Sequence, residues 1–328
     1  MEKQEYRIGD VADIVGLSRD ALRFYEKKGV ITSQKKENGY RYYSENDIYR
    51  LMYVLYQRKM NTSLEAVSYT HLTSDVGLVV VPWITAPAGV KELAANIAEI
   101  SLPDICPIPI CFIPGIKNGE GLFDLENIEA MDIMRGEEVE SVAILDKFPP
   151  GKPMLLILPG SHNKFVSVDR EGKITGCLTS ISGELLASIT NDTIIAKSVN
   201  REFVSPESYD REWVQKGYET ATRAGLGRAC FTARILMLFY NNDPKKLANY
   251  ILGATIAGDM QAVRNSTALK VDGDTLAVVG GKEPLRTAVA DVLKYDGYFR
   301  EVETFCPEGD IPLSARGAYI VARETGIL

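Results

Sequence analysis

No apolar run in these 328 residues approaches the length needed to cross a bilayer. The opening MEKQEYRIGD also lacks the charged-then-apolar pattern of a signal peptide. A cytoplasmic protein that does not engage a membrane is therefore expected. Cysteine is scarce: Cys106, Cys111, Cys177, Cys230 and Cys306 are odd in number and mostly far apart. Only Cys106 and Cys111 lie close together, and no second pair or histidine cluster completes a metal site beside them. Buried reduced thiols are the expectation, and no metal ligand is assigned. There is no solenoid-type repeat and no low-complexity tract. What remains is 45% hydrophobic and 25% charged, the composition of a globular chain with one large or two ordinary domains.

The net charge of −7 is unevenly spread. Residues 1–66 hold 12 Lys and Arg against 10 Asp and Glu, whereas the remainder holds 25 against 34. A slightly basic head precedes an acidic body, which points to nucleic acid for the head alone.

In the head, Ile8, Val11, Ala12 and Val15 repeat with helical spacing, and Gly16 stops that helix. Ser18 is a good N-cap for a second helix carrying Arg19, Arg23, Lys27 and Lys28, which gives a helix-turn-helix outline. Asn38-Gly39 is a hairpin signal flanked by basic and aromatic residues, as a wing resting on phosphates requires. Ser44 and Asp47 form a capping box opening a third helix with Ile48, Leu51, Met52 and Leu55 on its apolar side.

The strings LRFYEKKGVI, NGYRYYSENDIYRL and SLEAV resemble the winged-helix DNA-binding head of MerR-type transcription regulators. The resemblance implies that Arg19 and Arg23 face double-stranded DNA from the recognition helix, with Tyr40, Arg41 and Tyr42 on the wing. Arginine suits both jobs, since it reads guanine or neutralises phosphate. It ends at SLEAV, before the long pairing helix of that family, so a single head should bind weakly and with steep salt dependence.

Residues 67–72, Val-Ser-Tyr-Thr-His-Leu, fit neither neighbour. One back-translation resembles the transposon end ligated to fragments in library preparation, so this junction reads as an assembly artefact and His71 as neither ligand nor catalyst.

From residue 73 the chain alternates strand-like and helix-like stretches. Val79 to Val81 and the run Met154 to Leu158 read as buried strands, and residues 90–100 as a helix. A hairpin spans residues 164–179 with its turn at 169–172, and residues 244–265 form a long helix. Residues 276–279 make a strand stopped by Gly280-Gly281, with Pro284 opening another helix. The expected class is α/β with mixed sheets.

Two loops suggest phosphate chemistry. Gly160, Ser161, His162, Asn163 and Lys164 follow a buried strand, where bare backbone N–H groups and a lysine would surround a polyphosphate. Gly280 and Gly281 permit close approach of a ligand to the backbone. A third stretch sets Arg135 among Asp132, Glu137 and Glu138; on spacing alone it is a solvated charged turn.

PWITAPAGV, CFIPGI, MDIMRGEEVE, LPGSHNKFV, SISGELL and ILGATIAGDM occur in matching order with the 2-dehydro-3-deoxygalactonokinase family. Residues 73–328 resemble it, and the implied fold is the two-lobed sugar kinase, actin and Hsp70 type. The resemblance implies transfer of the ATP γ-phosphoryl group, with Mg2+, to the 6-hydroxyl of 2-dehydro-3-deoxy-D-galactonate. It places Gly160, Ser161, His162 and Lys164 on phosphate and Gly280 and Gly281 against the adenosine. It puts Arg135, Glu137 and Glu138 in the cleft, with Asp132 as the base. Kinases of this fold begin with an Asp-x-Gly-Thr phosphate motif, and nothing before Thr73 matches it. Three readings follow: a truncated, fused kinase without turnover, a regulator sensing a sugar acid through a kinase-like body, or a DNA-binding protein with a passenger. The first accounts for most of the chain.

Overall fold

A computed structural model describes residues 5–28, 30–36, 39–44, 47–48, 51, 81, 83–100, 110–119, 124–148, 150–307, 309 and 311–326. The chain divides into two compact units, Met1–Pro82 and Trp83–Leu328. Residues 67–72, with His71, lie outside the described residues, as do Met52, Leu55, Val79, Val80 and Cys106.

In the first unit, strands β1 (Glu5–Arg7), β2 (Gln34–Lys35) and β3 (Arg41–Ser44) form a sheet ordered β1-β3-β2. Helix α1 (Ile8–Val15) ends at Gly16, whose φ of 69° is the left-handed cap that glycine adopts without strain. Ser18 Oγ then accepts from the Ala21 N–H at 3.2 Å and opens α2 (Arg19–Lys27). Ser44 and Asp47 cap each other reciprocally, the Ser44 N–H on Asp47 Oδ2 at 2.9 Å and the Asp47 N–H on Ser44 Oγ at 3.2 Å. Val11, Leu22, Ile31, Tyr43, Ile48 and Leu51 fill the core. Strand alternation puts Tyr43 inside and leaves Tyr42 half-buried.

The second unit is organised by a five-stranded sheet ordered β11-β10-β9-β12-β13. Strand β9 (Met154–Leu158) is central, as its unbroken apolar run requires. It pairs antiparallel with β10 (Asn163–Val168), which pairs antiparallel with β11 (Ile174–Ser180). On its other side it pairs parallel with β12 (Leu276–Val279), which pairs parallel with β13 (Val302–Thr304). Alternation along β9 sends Leu155 and Ile157 into one core and Met154, Leu156 and Leu158 into the other. The long helix over Pro244–Asn265 starts with Pro244 at its first turn and Asp243 as its cap.

A smaller sheet, ordered β4-β7-β8, joins Ile84–Thr85, Ile116–Lys117 and Ile133–Met134. It is fastened to β11 by polar contacts. The Asn118 amide accepts from the Cys177 N–H at 2.8 Å and donates to the Cys177 carbonyl at 2.7 Å. The helix expected over residues 90–100 is shorter, α3 being Val90–Ala95. Asn96 turns its amide onto the Glu92 carbonyl and ends the helix, and Ala98–Ile100 becomes strand β5 paired with β6 (Ile110–Phe112). Val81 is buried but stands outside any strand. Cys177 and Cys230 are buried as expected, whereas Cys111 and Cys306 are exposed. Among the described residues no helix is long and apolar enough to cross a membrane.

Candidate functional site

Strands β9 and β12 are parallel neighbours whose connections leave in opposite senses, one into the β10 hairpin and one over a helix to β13. A crevice opens at the carboxyl ends of such strands, where ligands of open α/β sheets bind. Here it is a cleft of about 1010 Å3, and both sequence-predicted loops line it. After β9 come Pro159, Gly160, Ser161 and His162; after β12 comes Gly281.

The two turns touch because both contain glycine. Gly281 has φ of +85°, and a Cβ there would lie 3.1 Å from the Pro159 carbonyl oxygen. The Gly280 N–H donates to the Ile157 carbonyl at 2.9 Å and so continues the sheet into the turn. Gly160 donates its N–H to Asn163 Oδ1 at 2.9 Å. On the far side, helix α5 (Ser182–Asp192; α4 is Glu137–Leu145) begins directly against this loop. A Cβ on Gly183 would stand 2.0 Å from the Gly160 carbonyl oxygen, so only glycine permits the approach. The Glu184 N–H donates to the Ser161 carbonyl at 3.0 Å, and His162 Nε2 lies 2.9 Å from Glu184 Oε1 with both side chains half-exposed.

Lys164 reaches the cleft wall, but its ammonium is spent on the protein. Nζ donates to the Ile133 carbonyl at 2.8 Å and to the Thr179 hydroxyl, with Asp132 Oδ1 at 3.8 Å. Asp132 is not part of the cleft lining. Its carboxylate takes the Thr179 hydroxyl at 2.9 Å and the Thr179 N–H.

Arg135, Glu137 and Glu140 line the opposite wall. The Arg135 guanidinium lies over the Trp83 ring, 4.9 Å from its centroid. Burial pulls Arg135 below its ordinary value while Glu138 opposes that pull. Glu137 Oε2 accepts from the Arg135 N–H at 3.1 Å, and Glu138 Oε2 from the Gly136 N–H at 2.7 Å. Glu138 is buried beneath the wall, and burial pushes its carboxyl up to about 7. Burial and then Glu137 also raise Glu140. Residue spacing gave no reason to single out Glu140. It also passed over Asp259, a buried carboxylate behind the phosphate-type loop. A lone acid within the apolar run of Leu247–Met260 was the available signal.

The first unit carries its own concave surface, about 890 Å3, lined by Arg7, Arg19, Arg23, Lys27, Tyr40 and Arg41, together with Asp10 and Glu26. Four of the five sequence-predicted DNA contacts therefore share one surface. Tyr42 lies outside that lining, its ring beneath Arg7 at 5.9 Å and Lys36 at 5.1 Å. Arg41 is held by Glu26 at 2.7 Å, whereas Arg23 pairs with the exposed Asp20 at 3.1 Å.

Known proteins resemble the chain in two ways. A family model described as 2-keto-3-deoxy-galactonokinase matches residues 16–303, a range that begins inside the first unit. A crystal structure from Sinorhizobium meliloti, described as a 2-dehydro-3-deoxygalactonokinase protein, superposes with a TM-score of 0.57 at 20% identity. The superposition covers 90% of this chain and 94% of that one, a likeness of fold. The HTH-type transcriptional regulator ZntR of Escherichia coli strain K12 is 35% identical over 63 residues, 19% of this chain and 45% of that protein. The HTH-type transcriptional regulator CueR of Escherichia coli O6:H1 is 42% identical over 59 residues, 18% of this chain and 44% of that protein. The chain thus spans less than half the length of these two regulators.

Proposed function

The chain belongs to the 2-keto-3-deoxy-galactonokinase family, and from that premise we propose that its body, residues 73–328, is the nucleotide- and sugar-acid-binding part of such a kinase. The observation that carries this reading is the meeting of two glycine turns at the carboxyl ends of β9 and β12, in one cleft with Arg135. The turn at Gly160, Ser161 and His162 would take the phosphates of ATP on the backbone N–H groups of Ser161 and His162, the Gly160 N–H being given to Asn163. Gly280 and Gly281 would lie against the adenosine. Arg135 would hold the carboxylate of 2-dehydro-3-deoxy-D-galactonate, a bidentate partner that guanidinium geometry suits. No group of three or more His, Cys, Asp or Glu placed to hold a metal stands among the described residues, so Mg2+ would enter on the phosphates.

Transfer forms a bond from the sugar 6-hydroxyl oxygen to the γ-phosphorus and breaks the bond to the bridging oxygen of ADP. The hydroxyl proton must pass to a carboxylate. Glu137 lines the cleft, while Asp132 stands outside that lining and Glu138 is buried, so we assign the base to Glu137 rather than Asp132. Lys164, fixed on Ile133 and Thr179, supports the hairpin rather than the nucleotide.

No Asp-x-Gly-Thr string occurs in residues 1–72. Phosphoryl transfer depends on positioning and charge stabilisation, so the chain should bind nucleotide and fail to turn over. Calorimetric titration with Mg-ATP and an assay of ADP release with the sugar acid test this together. Binding without turnover is expected. No nucleotide binding overturns the kinase reading, and turnover matching intact family members overturns the inactivity. The arginine-lined surface of the first unit supports a second role, binding of double-stranded DNA by residues 1–66.

A further inference from the structure

Helix α8 is the long helix over Pro244–Asn265 (α6 is Arg211–Ala224 and α7 Leu226–Phe239), and nearly all of it from Leu247 to Met260 is buried. Within that stretch sits Asp259, only 2% exposed. A carboxylate out of water is costly unless donors replace its hydration. Three do: the hydroxyls of Ser180 at 2.6 Å and Ser182 at 2.5 Å on Oδ1, and the Asn163 amide at 2.7 Å on Oδ2. Burial pushes the Asp259 carboxyl upward and the three hydrogen bonds pull against it. An acid placed here needs a reason beyond packing.

The reason lies at the other end of Asn163. Its Oδ1 accepts the Gly160 N–H at 2.9 Å. A carboxylate only accepts hydrogen bonds, so Asn163 must turn its NH2 toward Asp259 and its carbonyl toward Gly160. Were that amide reversed, its NH2 would oppose the Gly160 N–H. Ser182 is the residue before Gly183, whose contact with the Gly160 and Ser161 carbonyls closes the loop from its other side. One buried carboxylate thereby fixes both the loop and the helix start packed against it.

We infer that Asp259 is a positioning residue for phosphate binding, acting through Asn163 on the Gly160 N–H to hold the Gly160–Ser161–His162 turn in place, with the N–H groups of Ser161 and His162 left for the phosphates. The inference rests on the reading of that turn as the phosphate loop. It predicts a dependence confined to the phosphates: affinity for ATP needs Asp259, and affinity for adenosine does not. A merely structural acid would change both ligands alike.

The experiment uses the full chain as wild type, Asp259→Asn and Asn163→Ala, titrated separately with Mg-ATP and adenosine, with near-UV circular dichroism as the check on folding. Asp259→Asn keeps the size of the side chain but no longer dictates which way Asn163 faces. Asn163→Ala cuts the relay and leaves Asp259 its two hydroxyl donors, so it serves where the first variant does not fold. In each, ATP affinity is expected to fall about tenfold, the scale of one lost charge-assisted hydrogen bond, with adenosine affinity unchanged. The double variant should bind ATP no more weakly than Asn163→Ala alone, since the two act in series. Equal losses for both ligands, or no loss for ATP, overturn the inference while wild-type ATP binding leaves the kinase reading standing. Failure of the wild-type chain to bind either ligand overturns both.

Discussion

Thr179 gives both its hydroxyl and its backbone N–H to the carboxylate of Asp132, and so pins the start of β8 to the end of β11. Lys164 completes the corner with its bond to the Ile133 carbonyl at 2.8 Å. Removing the carboxylate leaves Thr179 with unmet donors in a mostly buried place and Lys164 without its carboxylate neighbour. Asp132→Ala should cost about 2 kcal/mol, with Asp132→Asn costing less because an acceptor remains. Urea unfolding followed by tryptophan fluorescence measures this cleanly, since both tryptophans, Trp83 and Trp213, belong to the second unit. An unchanged midpoint for Asp132→Ala would show that these hydrogen bonds do not secure the corner.

Helices α6 and α8 approach so closely that each offers a glycine to the other's backbone. A Cβ on Gly217 would lie 1.8 Å from the Tyr250 carbonyl oxygen, and one on Gly253 would lie 1.8 Å from that of Val214. Gly258 is exposed on the same helix, and a Cβ there meets nothing within 4 Å. Gly253→Ala should therefore destabilise by more than about 3 kcal/mol, because backbone rather than a flexible side chain must yield. Gly258→Ala should stabilise by about 0.5–1 kcal/mol through the ordinary helix preference for alanine. Thermal unfolding of the two variants checks the opposite signs.

The carboxyl of Glu138 is pushed from the ordinary 4.5 to about 7 by burial. Below the lower value folded and unfolded states both hold the proton. Between the two the folded chain keeps a proton that the unfolded chain releases, so stability falls as pH rises and levels off above about 7. The full swing is about 3 kcal/mol at most. Glu138→Gln cannot ionise, so the wild type should lose ground to it progressively from about pH 4.5 to 7. Urea midpoints for both proteins across that window provide the measurement, and a constant difference would show that Glu138 does not titrate there.

The elements that sequence reading recovered are those whose signals are local. The apolar run of β9, the turn after Val168 and the proline-opened α8 each declare themselves within a few residues. What it missed depended on partners far along the chain. Asn163 and Asp259 meet across 96 residues, and Lys164 at the cleft wall donates to the carbonyl of Ile133, 31 residues away. The stretch Ala98–Ile100 leaves the expected helix because β6, Ile110–Phe112, pairs with it. A glycine-rich loop can be recognised by composition, but which of its side chains faces the ligand is settled by tertiary neighbours.

On the head, Arg41 and Arg23 should contribute differently to DNA binding. Arg41 is held by Glu26 at 2.7 Å, a partner whose side chain is only 18% exposed, so its guanidinium is fixed in the concave surface before any ligand arrives. Arg23 pairs with Asp20 where both side chains are largely exposed, and such pairs contribute little. Each arginine that neutralises a phosphate adds about −0.9 to the slope of log affinity against log salt. Arg41→Ala is expected to lower that slope by about one and to weaken all duplex sequences alike, as a wing contact to the backbone does. Arg23→Ala on the recognition helix should instead reduce discrimination between sequences, by about 1–3 kcal/mol where a guanine is read. Fluorescence anisotropy with two unrelated duplexes at about 50 and 200 mM salt separates the cases. Affinity indifferent to salt in the wild-type chain would remove the DNA reading of this surface altogether.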